Sequence, residues 1–491
     1  MAREPGLIRR GVLWLLLLGP FFFLSYGLVN SHTAARDDVG SLVFGWEEQT
    51  PLWPWTIVPY WSIDLLYGLS FLLPTSRREM DRHALALLTA QVISVSCFLL
   101  WPLRFTFERP ALDGVFGWLF DVLMGFDKPF NQAPSLHIAL LVIIWTMFAR
   151  HIHRQPWRWL MQGWMALIGV SVLTTWQHHF IDLPTGALAG LLCIWLWPRE
   201  GDVPLQTARL TRDPRRWRLA LYYGVGALLC ATLALHLAGA WLWLSWPAVS
   251  LLMVALNYAV FGAGGFQKGA DGRLSNAASW LLAPYLLGAW LNSRIWTRKR
   301  PQADEVCDGV FLGRIPGFGA ASSFNAVVDL TAELPCFACA DAFAGKPAPT
   351  GTAAHAENAL SPHTTPMVLK DTAASHHTAP VGAGLPANGP GQTMQMPAHY
   401  TCLPTLDLIV PDANLLKQAA EAIERLRQRG PVLVCCALGY SRSASAVAAW
   451  LVHSGRCASV TQAEALIRKA RPTVVLHPGH RRVLQQLEAQ P

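Results

Sequence analysis

Charge is scarce in this sequence. Only 14% of its 491 residues are Asp, Glu, Lys or Arg, where a soluble chain carries about 25%. That excludes an ordinary soluble globular protein over the whole length, and the 52% hydrophobic content agrees. Cysteine is sparse as well. The ten Cys have no framework spacing, which excludes a secreted disulfide scaffold. Cys336-x-x-Cys339 has no second Cys pair after it and only scattered His, so neither a metal nor another cofactor is expected. Acidic residues are fewer than basic ones, 31 against 39, which leaves a net charge of +8. The basic residues cluster in particular loops. The excess therefore reads as the positive-inside bias of a membrane protein, and no nucleic-acid partner is expected. What the sequence has in quantity is long apolar runs and 22 Trp, many of them near run ends, as interface anchors are.

The first apolar run, residues 11–30, follows Arg3, Arg9 and Arg10. A cleaved signal peptide, processed near Ala34 and Ala35, is the alternative reading. The run exceeds the usual ~7–15 residue core of such a peptide, so a first spanning helix is expected. Further runs lie near 56–74, 84–103, 135–149, 159–176, 183–198, 218–238 and 241–261. One set of loops holds Arg77, Arg78 and Arg82, then Arg150, Arg154 and Arg158, then Arg209, Arg212, Arg215, Arg216 and Arg218. The alternate set holds Asp37, Asp38, Glu47 and Glu48, then a loop of mixed charge at 104–134. Lys/Arg excess marks the cytoplasmic side. The expectation is a polytopic α-helical membrane domain of about eight spans with the N-terminus inside. Residues 1–83 carry two spans, 84–200 four, and 201–304 two more plus a segment at 277–296. Basic residues flank that last segment on both sides, which favours an interfacial helix; a ninth span is the alternative.

From residue 305 the pattern becomes that of a soluble α/β domain. Strands are expected at 308–313, 325–331, 400–406 and 431–435, and helices at 413–429, from Ser443, and from Thr461. Thr461 and Glu464 have the spacing of a capping box. Residues 336–399 interrupt this domain. They are rich in Ala, Gly, Pro, Thr and His without periodicity and are read as a disordered insertion.

The central motif is Val434-Cys435-Cys436-Ala437-Leu438-Gly439-Tyr440-Ser441-Arg442-Ser443, between an expected strand and an expected helix. A loop feeding a helix N-terminus presents backbone N–H groups and a positive dipole end to an anion. The same field favours a thiolate. Cys436 is the expected nucleophile. Residues Ala437, Leu438, Gly439, Tyr440 and Ser441 are expected to cradle a phosphoryl group, and Arg442 to grip two of its oxygens. Ser443 is placed to hydrogen-bond the sulfur. The segment resembles the dual-specificity branch of the protein tyrosine phosphatases over about 305–335 and 400–491. It includes Asp308-Gly309-Val310-Phe311-Leu312-Gly313, Val327-Val328-Asp329-Leu330 and Ala470-Arg471-Pro472. The resemblance implies a leaving-group acid upstream. Asp407, 29 residues before Cys436, is the choice and Asp412 the fallback. It also implies two displacements through a phosphocysteine, and a phosphorylated protein or small phosphomonoester as substrate. The family's His before the nucleophile is Cys435 here. Residues 305–491 are expected to act as an independent unit.

Three polar clusters sit on the expected outer face. Arg109-Pro110 follows the third run, Pro134-Ser135-Leu136-His137 opens the fourth, and His178-His179-Phe180-Ile181-Asp182 precedes the sixth. The four-residue step from His178 to Asp182 lets the carboxylate fix the imidazole tautomer. The order Arg-Pro, Pro-Ser-x-His, His-x3-Asp resembles the type-2 phosphatidic acid phosphatase superfamily over about 84–200. It implies His178 as nucleophile, His137 as acid, and Arg104 and Arg109 as phosphate ligands. Val172 and Pro102 stand where that family has Arg and Lys. Pro-Ser-Leu-His with His-His-Phe-Ile-Asp is closer to its lipid phosphotransferase branch.

Together these readings point to a bacterial-type fusion in an inner membrane. A cytoplasmic Cys-dependent phosphatase would join an outer-face site for lipid phosphate hydrolysis or headgroup transfer. The alternative is a membrane part that serves as anchor or lipid sensor, with only the C-terminal domain catalytic. A transporter finds no support in inverted repeats or broken-helix pairs.

Overall fold

The computed structural model describes residues 3–317, 323–336 and 399–489. Most of the segment read as an insertion, Cys339 included, lies outside the described residues.

The N-terminal part is helical. Its helices are α1 (Leu7–Ala34), α2 (Ile57–Ser70), α3 (Arg77–Leu100), α4 (Gly114–Phe126), α5 (Leu136–His151), α6 (Gln155–Thr174), α7 (Asp182–Leu196), a four-residue α8 (Pro204–Thr207), α9 (Pro214–Leu237) and α10 (Ser245–Leu256). By length and composition, four segments can cross a membrane: Leu7–Ala34, Arg77–Leu100, Pro214–Leu237 and the composite Gly239–Phe266. Of the eight expected spans, four are both long and apolar enough for a bilayer; α6 has the length, 20 residues, but not the composition. Polar motifs cut α5 and α7 short. Ser135 caps α5 by accepting from the Ile138 N–H, and Asp182 opens α7. Helix α4 falls inside the stretch read as the 104–134 loop.

Two glycines set how closely the helices carrying the polar clusters approach. A Cβ at Gly186 would lie 2.5 Å from the Ser135 carbonyl oxygen, and one at Gly190 2.7 Å from that of Ala139. Helices α5 and α7 therefore meet backbone to backbone, the packing that small residues four apart permit.

The segment 277–296 breaks at Leu282 into α11 (Asn276–Leu281) and α12 (Ala283–Trp296). Helix α12 exposes Leu287, Trp290, Leu291, Ile295 and Trp296. From its other side, the hydroxyl of buried Ser293 donates to the Ala437 carbonyl at 2.5 Å.

The C-terminal part is an α/β domain around a five-stranded sheet ordered β1-β2-β5-β3-β4. The strands are β1 (Asp304–Cys307), β2 (Val310–Arg314), β3 (Ala326–Thr331), β4 (His399–Thr405) and β5 (Val432–Cys436). All neighbours are parallel except β1 and β2. Four helices complete the domain, the first before β5 and the rest after it: α13 (Ala413–Arg427), α14 (Arg442–His453), α15 (Val460–Ala470) and α16 (Pro478–Glu488). Asp412 caps α13 by accepting from the Leu415 N–H at 2.8 Å. Leu416, Ala419, Ala420, Ile423 and Leu426 bury its inner face. Helix α15 is capped by Ser459, not by Thr461. Its Glu464 instead pairs with Arg468 and Arg481.

The two parts share a hydrophobic cluster. Tyr258, Phe266, Leu281 and Leu282 of the helical part join Ala332 and Leu406 of the sheet domain. The join forms at the arginine-rich end of the bundle. There Arg82 reaches the carbonyls of Pro198 and Arg199, and Gln267 donates to the Trp195 carbonyl at the end of α7.

Candidate functional site

Cys436 closes β5, the central strand, at the carboxyl end of the parallel strands, where open α/β sheets bind ligands. The loop from Ala437 to Ser441 then curls into the N-terminus of α14. Gly439 makes the curl with φ 73°. A Cβ there would lie 2.5 Å from the Gly313 backbone, so no other residue fits without displacing β2. The Gly439 N–H and the Ser443 hydroxyl both point at the Cys436 sulfur, each at 3.2 Å. Cys435, one residue back on the strand, packs in a small cluster with Val327 and Leu433, while Cys436 joins the main domain core. Successive strand residues face opposite ways. Burial, then the Asp329 carboxylate, push the Cys435 thiol well above its ordinary range.

The rim of the loop is braced from outside the domain and from within it. The Tyr440 hydroxyl donates to the Trp296 carbonyl at 2.9 Å. Ser441 meets His480 Nε2 at 2.8 Å.

Arg442 is 2% exposed and its fork is occupied. It donates to both oxygens of Glu333, at 2.6 and 2.9 Å, and to the Thr405 carbonyl at 2.7 Å. The Asp407 carboxylate lies 2.9 Å from the same guanidinium. Burial opposes the charge on Arg442, and Glu333 and Asp407 more than offset it. The two carboxylates differ in freedom: the Glu333 side chain is 3% exposed and that of Asp407 32%. Of the two, Asp407 is the carboxylate open to solvent. Asp412, the fallback acid, is spent on its cap. Sequence reasoning missed Glu333, which stands 109 residues before Arg442 in no motif with it.

The second cluster gathers at the opposite end of α5 and α7. His178 Nδ1 lies 3.0 Å from Asp182 Oδ2, and both residues are buried. Its Nε2 is 3.4 Å from the Ser135 hydroxyl. His137 stacks on Tyr60 with centroids 4.2 Å apart. The two imidazoles line one cavity of about 240 Å³ together with Tyr26, Tyr60, Asp64 and Asp127. His179 turns elsewhere, 3.0 Å from Glu47. Arg109 does not line this cavity. It donates to the carbonyls of Thr175 and Trp176 and lies over the Phe120 ring. Arg104 is exposed and does not line it either. Asp64, Asp127 and Glu47 were not singled out from the sequence, because no spacing ties them to the histidines.

Residues 388–490 match the family model described as the catalytic domain of dual specificity phosphatases. No curated protein matches the chain. Several solved structures overlap its C-terminal part. Tk-PTP in the active form is 20% identical, covering 39% of this chain and 99% of that one, with a TM-score of 0.25. Human DUSP28 is 18% identical, covering 38% and 94%, with a TM-score of 0.24. PTPMT1 is 16% identical, covering 38% and 94%, with a TM-score of 0.23. The match at residues 388–490 supports a phosphatase enzyme, with its α/β domain preceded by a mostly helical N-terminal part.

Proposed function

We propose that the chain is a membrane-bound phosphatase with two sites, one at each end of its helical bundle. At the arginine-rich end, Cys436 attacks a phosphomonoester. The sulfur–phosphorus bond forms as the phosphorus–oxygen bond breaks, and Asp407 protonates the departing oxygen. Water then cleaves the phosphocysteine, with Asp407 taking its proton and Ser443 donating to the leaving sulfur. Arg442 and the N–H groups of the 437–441 loop hold the phosphoryl oxygens. The loop carries no Lys, which favours a phosphoprotein or small phosphomonoester over a polyanionic substrate. The carrying observation is the convergence of the Gly439 N–H and the Ser443 hydroxyl on one sulfur.

At the other end, His178, oriented by Asp182, attacks a lipid phosphate, and His137 protonates the leaving group. The phosphoryl group passes to water or to another headgroup. In the cell this second site faces outward and the phosphatase domain faces the cytoplasm, a reading that the arginine-rich loops support. The engagement of Arg109 with two carbonyls favours a second reading, in which the helical part binds lipid without chemistry.

The test is hydrolysis of an aryl phosphate by the full chain in detergent, without metal. Cys436→Ser should abolish turnover, and Asp407→Asn should lower it by roughly 10²–10⁴, the usual worth of a general acid. Turnover that survives Cys436→Ser would overturn the assignment.

A further inference from the structure

Lys268 belongs to the link between the bundle and α11, outside the sheet domain, yet its side chain is fully buried. Its ammonium lies 2.6 Å from Asp329 Oδ2. It also donates to the Thr331 hydroxyl at 2.6 Å and to the carbonyls of Thr331 and Leu334 at 3.0 and 2.7 Å. Asp329 is tied further into the same turn. Its Oδ1 accepts from the Thr331 N–H and hydroxyl, and its Oδ2 from the Tyr400 hydroxyl at 2.7 Å.

The turn that this network closes runs from the end of β3 to Leu334. The two carbonyls that Lys268 holds flank Glu333, and Glu333 is the residue that grips Arg442 with both oxygens. Lys268 is itself fixed. It bridges to Leu274 across a short antiparallel turn. Its neighbour Gln267 reaches the Trp195 carbonyl, and Trp195 donates back to Gly265. Polar contacts linked by short stretches of backbone therefore lead from the end of α7 to the Arg442 guanidinium.

We propose that Lys268 is a positioning residue of the phosphatase site: by clamping the turn around Glu333 it sets where Arg442 presents its fork, so the helical part completes the phosphate-binding geometry. This rests on the reading of Arg442 as the phosphate-binding group. Its consequence is selective. Loss of Lys268 weakens the hold on the phosphoryl oxygens and leaves the nucleophile and its loop intact.

The experiment uses the full chain in detergent, with aryl phosphate as substrate and vanadate as competitive inhibitor. Lys268→Met alone strands a buried carboxylate, so the informative variant is Lys268→Met with Asp329→Asn, which removes both charges. It should unfold cooperatively and keep the wild-type rate of Cys436 alkylation by iodoacetamide. Its KM and vanadate Ki should both rise about ten- to a hundredfold, the usual worth of a supporting contact, with a smaller change in kcat. Lys268→Arg should recover part of the loss. A folded double variant with KM and Ki within twofold of wild type overturns the proposal. Wild-type turnover that survives Cys436→Ser overturns the underlying reading and the proposal with it. Cys436-dependent turnover with an unmoved Ki overturns the proposal alone.

Discussion

Tyr258, at the end of the last long helical segment, donates its hydroxyl to the backbone carbonyl of Asp407 at 3.0 Å. The contact spans 149 residues and fastens the segment bearing the proposed acid to the helical part.

Tyr258→Phe removes that tether and keeps the ring. A loosened acid matters most when the leaving oxygen is a poor one. The variant should lose about tenfold in kcat on an alkyl phosphate, within the range a positioned acid contributes, and much less on an aryl phosphate with an acidic phenol. Equal losses on both substrates would show that the tether does not act through Asp407.

His480 offers a pH test. Burial first, then the charges of His477 and Arg215, push it from 6.5 down to about 4. The unfolded chain therefore takes up a proton near 6.5 and the folded chain only near 4. Between those values the unfolded state binds more protons, and stability falls as pH drops, by at most about 1.4 kcal/mol per pH unit from this group. Chemical-denaturation midpoints of the full chain at pH 7.5 and 5 should show this decline, and His480→Asn should flatten it. An unchanged slope in the variant assigns the decline elsewhere.

Residues 305–491 alone should be a poor enzyme, contrary to what the sequence leads one to expect. The cut removes Lys268 and strands buried Asp329, and breaking such a pair costs about 3–5 kcal/mol. It also removes Ser293 and Trp296 from the rim of the phosphate loop. A fragment beginning at residue 262 should show a higher urea midpoint and a higher kcat/KM than one beginning at 305. Equal values would mean that the junction contributes nothing.

The two proposed sites occupy opposite ends of α7. Asp182 opens that helix and Trp195 stands near its close, ~20 Å apart at 1.5 Å per residue. They cannot share one phosphate. His178→Ala should remove lipid phosphate turnover and leave aryl phosphate hydrolysis unchanged, and Cys436→Ser should do the reverse. Loss of both activities in His178→Ala, with folding retained, would contradict separate sites.

Local chemistry was legible in the sequence, and long-range support was not. The segment from Cys436 to Ser443 is contiguous, so a strand, a glycine and a helix start announce its geometry together. The four-residue step from His178 to Asp182 pairs the two side chains as expected, although the chain between them is a turn ahead of α7 and not a helical turn. Glu333 and Lys268 are single charged residues whose meaning depends on a partner brought up by the fold; Lys268 read only as a flanking base. Asp304–Cys307 is too short to declare itself a strand. Thr461 and Glu464 matched a capping box, but Ser459 lies two residues earlier and starts the helix first.

The glycine seam between α5 and α7 has a mechanical consequence. In the proposed membrane setting, two short helices in backbone contact would move as one strut when the bilayer thickens or thins. The gap between His137 and His178 would then hold steady across membranes of different composition. Helices such as α1 and α9, with only 17% of their apolar windows buried, have the free surface to absorb the mismatch. Gly186→Ala or Gly190→Ala would turn that gauge into a hinge.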